Sequence, residues 1–410
     1  MEFPKDFIDE MRQMMSAEEL VQLLEGLQQE PVVSIRLNPS RQLAISDWRL
    51  AFGVPTANSQ QPTAEPIPWC TTGYYLTERP SFTFDPLLHA GAYYVQEASS
   101  MFLERVMRQY VTDTVCMLDL CAAPGGKSTL ARSLLTADSL LVSNEPIRNR
   151  AQILSENVQK WGYKNHLVTN NYPKDFRKAK ALFDVILTDV PCSGEGMFRK
   201  DPKAIGEWSL QNVEKCWRLQ RDIVSDIWNC LRPGGILIYS TCTFNTKEDE
   251  ENVCWIADEL GADILSVDTE DSWGITGSLL KGFSQPVYRF LPGKTRGEGL
   301  FMAVLRKHGQ SEHVHQERLQ KSIKALNILP PDFLETLHQA QDAPHIPLTY
   351  EQAIAYLRRE AITLPEDTPR GIVVVCYEGL KLGLAKNVGN RANNLYPKEW
   401  RIRSSYVPKT

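Results

Sequence analysis

Residues 115–145 read VCMLDLCAAPGGKSTLARSLLTADSLLVSNE. A short apolar run, Val115–Leu120, gives way to small, turn-forming residues; a helix is predicted over 127–136 and a second apolar run follows at Leu140–Asn144. Strand, tight turn, helix and strand make the repeating unit of a parallel sheet covered by helices, and such sheets bind nucleotides at the carboxyl ends of their strands. The small side chains of Cys121, Ala122, Ala123, Pro124, Gly125 and Gly126, ahead of Lys127, let a ligand approach the backbone closely. The spacing matches neither GxxxxGK[ST] nor GxGxxG, which disfavours a phosphate cradle. Glu145 stands twenty positions after Gly125, at the end of the next strand, where an acid bonds both ribose hydroxyls of a nucleoside cofactor. A nucleoside held without a phosphate cradle fits S-adenosylmethionine. The loop alone is also compatible with a plain strand–helix turn beside a chance exposed acid.

The same texture continues downstream. Strands are predicted at His166–Asn170, Phe183–Val190, Gly235–Thr241 and Leu300–Leu305, with helices over 147–161, 208–231 and 248–260. Residues 111–307 thus read as one Rossmann-like α/β domain. The preceding 1–110 form an α+β region: apolar residues at helical spacing (Phe7, Ile8, Met11, then Leu20, Leu23, Leu24, Leu27), a strand at Ser34–Asn38, a Pro- and Thr-rich loop at 54–66 and a helix from Val95 to Tyr110. Residues 308–325 are polar at the start and read as a linker, in which His308, His313 and His315 lack partners at metal-ligand spacing. The remainder, 326–410, holds a predicted helix near 350–360 and a strand at Gly371–Tyr377.

The 410 residues are 42% apolar and 23% charged, the profile of globular domains rather than of disorder or coiled coil. With 45 basic against 50 acidic residues the net charge is −5, so any nucleic-acid contact must rest on local charge. The nine cysteines are odd in number, scattered and free of CxxC pairs, as expected for reduced thiols in a cytoplasm, with no metal site. The acidic N-terminus lacks a signal-peptide pattern and no apolar run approaches membrane-spanning length. A cytoplasmic monomer without membrane attachment is expected.

Two cysteines stand apart. Phe183–Asp189 runs into Val190-Pro191-Cys192-Ser193-Gly194-Glu195-Gly196, and Gly234–Thr241 runs into Cys242-Thr243. Each buried strand delivers a thiol just past its end, at the edge of the sheet where ligands bind. A reactive thiolate needs such a partly exposed site, whereas Cys70, Cys116, Cys216, Cys230, Cys254 and Cys376 read as packing residues, since cysteine is commonly buried as a small apolar group.

DLCAAPGGKS (119–128), DVPCSGEGMFRKDP (189–202) and YSTCTFN (239–245), in this order, resemble the RNA cytosine-C5 methyltransferases of the Sun/Nop type, in particular the bacterial RsmF-like ribosomal RNA enzymes. SIRLNP (34–39), YYVQEASSM (93–101) and GEGLFMAVLRK (297–307) match the same family, so the resemblance covers nearly the whole chain. It implies a mostly parallel seven-stranded Rossmann-like domain flanked by an N-terminal α+β extension and a C-terminal PUA-like RNA-binding domain. It further implies Cys242 as nucleophile toward cytosine C6, Asp189 as a protonated contact to the N3 edge and Cys192 in release of the adduct. S-adenosylmethionine would lie against Cys121 to Lys127, Glu145 and Asp189. Where relatives carry an acid near the adenine, this chain reads Thr169-Asn170-Asn171-Tyr172, and Asn171 is carried over in its place. Arg150 either faces this pocket or is solvated on its helix.

Between Arg370 and Thr410 there are eight basic residues against two acidic ones, interleaved with aromatics. Lys386, Arg391, Tyr396, Trp400, Arg401 and Arg403 are expected to contact RNA through phosphates and stacking, and Arg199 and Lys200 to grip the backbone beside the target base. The expected partner is ribosomal RNA or a ribosomal subunit. The same chemistry on transfer RNA, and a non-catalytic RNA-binding or assembly factor, are the alternatives; the placed thiols argue against the latter.

Overall fold

The computed structural model describes residues 2–41, 64–389 and 391–404. Most of the loop read at 54–66, and the tail residues Tyr406 and Lys409, lie outside the described residues. Two helices open the chain, Lys5–Met14 and Ala17–Gln28. The second is started by Ser16, whose hydroxyl accepts from the Glu19 N–H while the Glu19 carboxylate accepts from the Ser16 N–H. Strands β1 (Val33–Leu37), β2 (Ala64–Pro66), β3 (Gly73–Leu76) and β4 (Tyr93–Val95) pair antiparallel in the order β2-β3-β1-β4. The continuous helix predicted from Val95 is absent. Tyr93–Val95 is held by β1, a partner distant in sequence, and the helix itself runs from Leu103 to Tyr110.

The main sheet contains β5 (Cys116–Asp119), β6 (Leu140–Asn144), β7 (His166–Thr169), β8 (Phe183–Asp189), β9 (Leu231–Thr241), β10 (Ala262–Leu265), β11 (Tyr288–Phe290), β12 (Leu300–Lys307) and β13 (Ile328–Leu329). Strands β7-β6-β5-β8-β9 are parallel, then β12 and β10 continue antiparallel, which is the expected Rossmann-like sheet of seven. Two further strands extend it: β11 pairs with β12, and β13 with β7. Alternate residues feed opposite faces. Met117, Leu141, Val185, Leu187, Ile236 and Ile238 pack on one side, and Cys116, Leu118, Val142, Ile186, Leu237 and Tyr239 on the other. Helices Gly126–Leu134, Arg148–Trp161, Leu210–Trp228 and Glu250–Trp255 cover these faces.

Residues 308–325 are no free tether. Gln316–Ile323 is a helix that buries Leu319 and Ile323 in the core beneath the sheet, two apolar positions one turn apart in an otherwise polar stretch. His313 lies 3.1 Å from Asp184, and His308 3.2 Å from Asp263. The C-terminal domain contains β14 (His345–Pro347), β15 (Gly371–Tyr377), β16 (Leu380–Asn387) and β17 (Ala392–Asn394) in one sheet, with helices Asp332–Gln339 and Tyr350–Leu357. Its core is continuous with that of the N-terminal sheet: Ile346, Tyr356 and Val373 share a cluster with Ile35, Tyr74 and Tyr93. Among the described residues, no helix is long and apolar enough to cross a membrane.

One buried ion cluster braces the end of β9. The Arg289 guanidinium, on β11, meets Asp249 at 2.9 Å and Glu250 at 2.7 Å, all three fully buried. Asp249 in turn accepts from the Thr241 hydroxyl at 2.6 Å, one residue before Cys242. Arg289→Met would leave two buried carboxylates uncompensated, so a loss of about 3–5 kcal/mol is expected in denaturant unfolding. A loss below about 1 kcal/mol would contradict this bracing role.

Candidate active site

The cofactor loop leaves β5 through Asp119, which is completely buried. Its Oδ2 accepts from the Ser128 hydroxyl at 2.5 Å, while Oδ1 has no hydrogen-bond partner, and burial pushes its carboxyl up to about 7. An unpaired buried acceptor at the mouth of a small-residue loop fits a ligand that brings a donor or positive charge. Gly125 has φ +115°, a conformation glycine adopts without penalty, and Ala122 N–H is tied to Asn144 O at 2.8 Å. The loop's helix is buttressed from the N-terminal region by the buried Arg36 of SIRLNP. This guanidinium donates to Thr129 Oγ1 at 2.6 Å and Gln96 Oε1 at 2.7 Å and stacks 4.5 Å over Trp161.

Glu145 is buried after β6, with Oε1 accepting from Ile147 N–H at 2.9 Å. Arg150 is exposed on its helix yet reaches the loop: it lies 3.4 Å from Glu145 Oε2 and donates to Ala123 O at 3.1 Å. Asn171 does not offer a free amide to an adenine. Its Nδ2 donates to Asn327 O at 3.1 Å and its Oδ1 accepts from Asn327 N–H at 3.0 Å, so the expectation that it stands in for the missing acid is not met.

Parallel pairing of β8 and β9 brings Asp189 opposite Ser240, and both strands end together. Asp189 Oδ1 accepts from the Ser240 hydroxyl at 2.7 Å and Oδ2 meets Lys127 Nζ at 2.8 Å. Burial alone would lower the Lys127 ammonium, but the adjoining Asp189 outweighs it and holds the group above its ordinary value. Lys127, assigned to the cofactor loop, thus bridges that loop to the end of β8. The protonated Asp189 contact expected from the sequence requires an incoming base to take the ammonium's place.

Cys192 Sγ and Cys242 Sγ lie 2.9 Å apart, both partly exposed and unbridged, and Cys242 N–H points at Cys192 Sγ at 3.4 Å. Contact with Cys242, then burial, raises the Cys192 thiol well above its ordinary value, so it carries its proton. Gly196 N–H donates to Cys242 O at 2.8 Å, and a Cβ on Gly196 would stand 3.0 Å from that oxygen, so the close approach of the two loops requires glycine there.

Behind the thiols lies a network that motif reading passed over. Glu248 accepts from Ser193 N–H at 3.0 Å, Gln220 at 2.7 Å and Asn245 at 2.9 Å; Glu195 accepts from Trp208 at 3.0 Å and from the same Asn245 amide at 3.0 Å. Both acids are fully buried, and burial followed by the nearby Glu195 pushes Glu248 up to about 7. The acids were visible in GEG and NTKEDE, but only the fold shows that they tie the Cys192 loop to the Cys242 loop.

Two of the residues expected to touch RNA are structural. Arg199 is buried, paired with Glu298 at 2.8 Å and bonded to Gly26 O at 3.1 Å, because the Gly297-Glu298-Gly299 turn and the N-terminal helices close over it. Tyr396 is 1% exposed and packs edge-on against Phe333 and Tyr356. Trp400 is partly buried, 4.8 Å from Phe333 with Lys160 Nζ 5.5 Å over its ring. Lys200, Lys386, Arg391, Arg401 and Arg403 are exposed.

Three family models match the chain: 16S rRNA methyltransferase RsmB/F over 108–306, the N-terminal domain of 16S rRNA methyltransferase RsmF over 3–98, and the methyltransferase RsmF PUA domain over 343–402. Ribosomal RNA small subunit methyltransferase F of Aliivibrio salmonicida is 30% identical over 417 aligned positions, covering 84% of this chain and 87% of the relative. The protein of the same name from Vibrio atlanticus is 27% identical over 97% of each chain. Among solved structures, a methyltransferase homologue from Pyrococcus horikoshii superposes with TM-score 0.62 at 25% identity, covering 74% of this chain and 95% of its own. NSun6 from the same organism, solved with SFG, gives 0.62 at 20% identity over 75% and 99%. With the loop architecture, the thiol pair and all three regions in agreement, the chain belongs to the RsmF group of the RsmB/F methyltransferase family.

Proposed function

We propose that this protein methylates C5 of a cytosine in small-subunit ribosomal RNA through a covalent Cys242 adduct. The observation that carries the reading is the pair of thiols 2.9 Å apart at the strand ends, beside Asp189 and the cofactor loop. Cytosine C5 is too weak a nucleophile to take a methyl group unaided. Addition of the Cys242 thiolate to C6 forms an S–C6 bond and moves the ring's electron pair to C5. Cys121 to Lys127, Glu145 and Asp189 would hold S-adenosylmethionine, whose S–CH3 bond would break as C5 takes the methyl group, with S-adenosylhomocysteine leaving. A base then removes the C5 proton, the electrons of that C–H bond restore the 5,6 double bond, and the S–C6 bond breaks to return the thiolate. Cys192 assists this release, a role supported by its raised thiol and its contact with Cys242 Sγ. Asp189, once the incoming base has taken the place of the Lys127 ammonium, contacts the N3 edge, where charge develops on addition.

The target base must leave its stack at a cost of roughly a few kcal/mol, least for an unpaired nucleotide. Exposed Lys386, Arg391, Arg401 and Arg403 on the C-terminal domain, with exposed Lys200 after the Cys192 loop in sequence, supply the phosphate contacts. A cytoplasmic setting suits both the substrate and a chain of unpaired thiols.

Labelled S-adenosylmethionine and unmodified small-subunit RNA test the reading, with transfer RNA in parallel. Cys242→Ala should abolish transfer, by at least about a thousandfold. Cys192→Ala should accumulate an RNA–protein adduct that survives denaturing gels and disappears in the Cys192→Ala/Cys242→Ala double variant. Transfer that persists without Cys242 would refute the covalent route, and transfer to transfer RNA alone would refute the ribosomal target.

Glu248 gives a pH prediction. A carboxyl held at about 7 in the fold, against an ordinary value of 4.5, binds its proton more tightly folded than unfolded. Its contribution is therefore complete below pH 4.5 and lost as pH rises through 7, by at most about 3 kcal/mol. Unfolding stability measured from pH 5 to 8 should fall less steeply for Glu248→Gln than for the native chain; identical slopes would show that Glu248 ionises at its ordinary value.

A further inference from the structure

We infer that Asn171 and the backbone of Asn327 form a clamp through which the interdomain segment 325–329 positions the Glu145 side of the nucleoside pocket. The inference rests on the S-adenosylmethionine reading above. Asn171 and Asn327 exchange two hydrogen bonds, 3.1 and 3.0 Å, and Asn327 O also accepts from Asn170 N–H at 2.9 Å. Directly after them, β13 continues the pairing, Ile328 opposite Thr169 and Leu329 opposite Val168. Leu329 packs with Ala122, Ala123, Leu154 and Val158, so the segment rests against the cofactor loop itself.

From this anchorage the bonds lead to the ribose acid. Asn144 Nδ2 donates to Asn171 O at 2.9 Å and Asn171 N–H donates to Asn144 Oδ1 at 3.0 Å. Asn170 Nδ2 donates to Glu145 O at 2.7 Å and to Pro146 O at 2.9 Å, and Glu145 N–H donates to Thr169 O at 3.1 Å. The Glu145 backbone is therefore held at both its N–H and its O by the end of β7, and the end of β7 is fixed by Asn327 and the short edge strand β13 that follows it. Asn171 acts on the cofactor through Glu145 rather than by touching the adenine. Because the segment leads into the C-terminal domain, cofactor affinity and seating of that domain are coupled.

The test is the affinity of the full chain for S-adenosylhomocysteine and for its inosine analogue, in which the adenine amine is replaced, by calorimetry. Binding by the native chain comes first; none at all would overturn the cofactor reading and the clamp with it. Loss of one or two hydrogen bonds in the clamp should weaken S-adenosylhomocysteine about three- to tenfold in Asn171→Ala, with the preference over the inosine analogue unchanged. Asn171→Asp, which would restore a family-like acid, should also weaken binding, because a carboxylate would face Asn327 O. Asn327→Pro removes the N–H donor and should match Asn171→Ala without adding to it in the double variant. Amide exchange at 325–329 should slow when ligand binds, a readout that needs no activity and no variant. Tighter binding by Asn171→Asp, a lost adenine preference in Asn171→Ala, or unaltered exchange at 325–329 would each overturn the clamp.

Discussion

The site depends on the parallel registration of β8 with β9. Asp189 lies opposite Ser240, so the two strands finish level and the turns that follow emerge side by side. A parallel pair is stable only when buried on both faces, which is why both strands are near-continuous apolar runs. A one-residue slip would send every side chain to the opposite face, and the thiols would no longer meet. The sheet's core packing thereby sets the distance between Cys192 and Cys242.

Registration alone does not hold two loops at van der Waals contact. Glu195, Glu248 and Asn245 tie them from behind, Gly196 allows the backbones to touch, and Arg289 fixes the exit of β9 through Asp249 and Thr241. These groups are buried, so each bond acts in a low dielectric and leaving any one unmade costs more than at the surface. The N-terminal region contributes in the same manner. Arg36 and Gln96 hold the helix that follows the cofactor loop, and Arg199, paired with Glu298, bonds the end of the second N-terminal helix through Gly26 O. This gives SIRLNP, YYVQEASSM and GEGLF a shared purpose: they are the faces along which the N-terminal region docks.

Much of the fold was legible because its strands are local. Leu140–Asn144 has the bounds its apolar run predicted, and Cys116–Asp119 and Phe183–Asp189 fall within a residue of theirs. Strands defined by a distant partner were not: Val95 reads as the start of a helix until β1 pairs with Tyr93–Val95, and Ile328–Leu329 is too short to read at all. Residue type misled where exposure decided the role. Arg199 and Tyr396 have the chemistry of an RNA contact, yet one is neutralised by Glu298 and the other enclosed by Phe333 and Tyr356.

The sequence by itself determined the βαβ order, the small-residue cofactor loop, the acid after β6 and the delivery of two thiols to strand ends, since each is a matter of a few consecutive residues. Tertiary structure decided that the thiols touch, that Lys127 bridges to Asp189, that Glu195 and Glu248 lock the loops, and that Asn171 is occupied by Asn327. The physical reason is range. Periodicity and turn chemistry act over a handful of bonds, whereas a hydrogen bond between residues 156 positions apart exists only once the whole sheet and the strap along its edge have assembled.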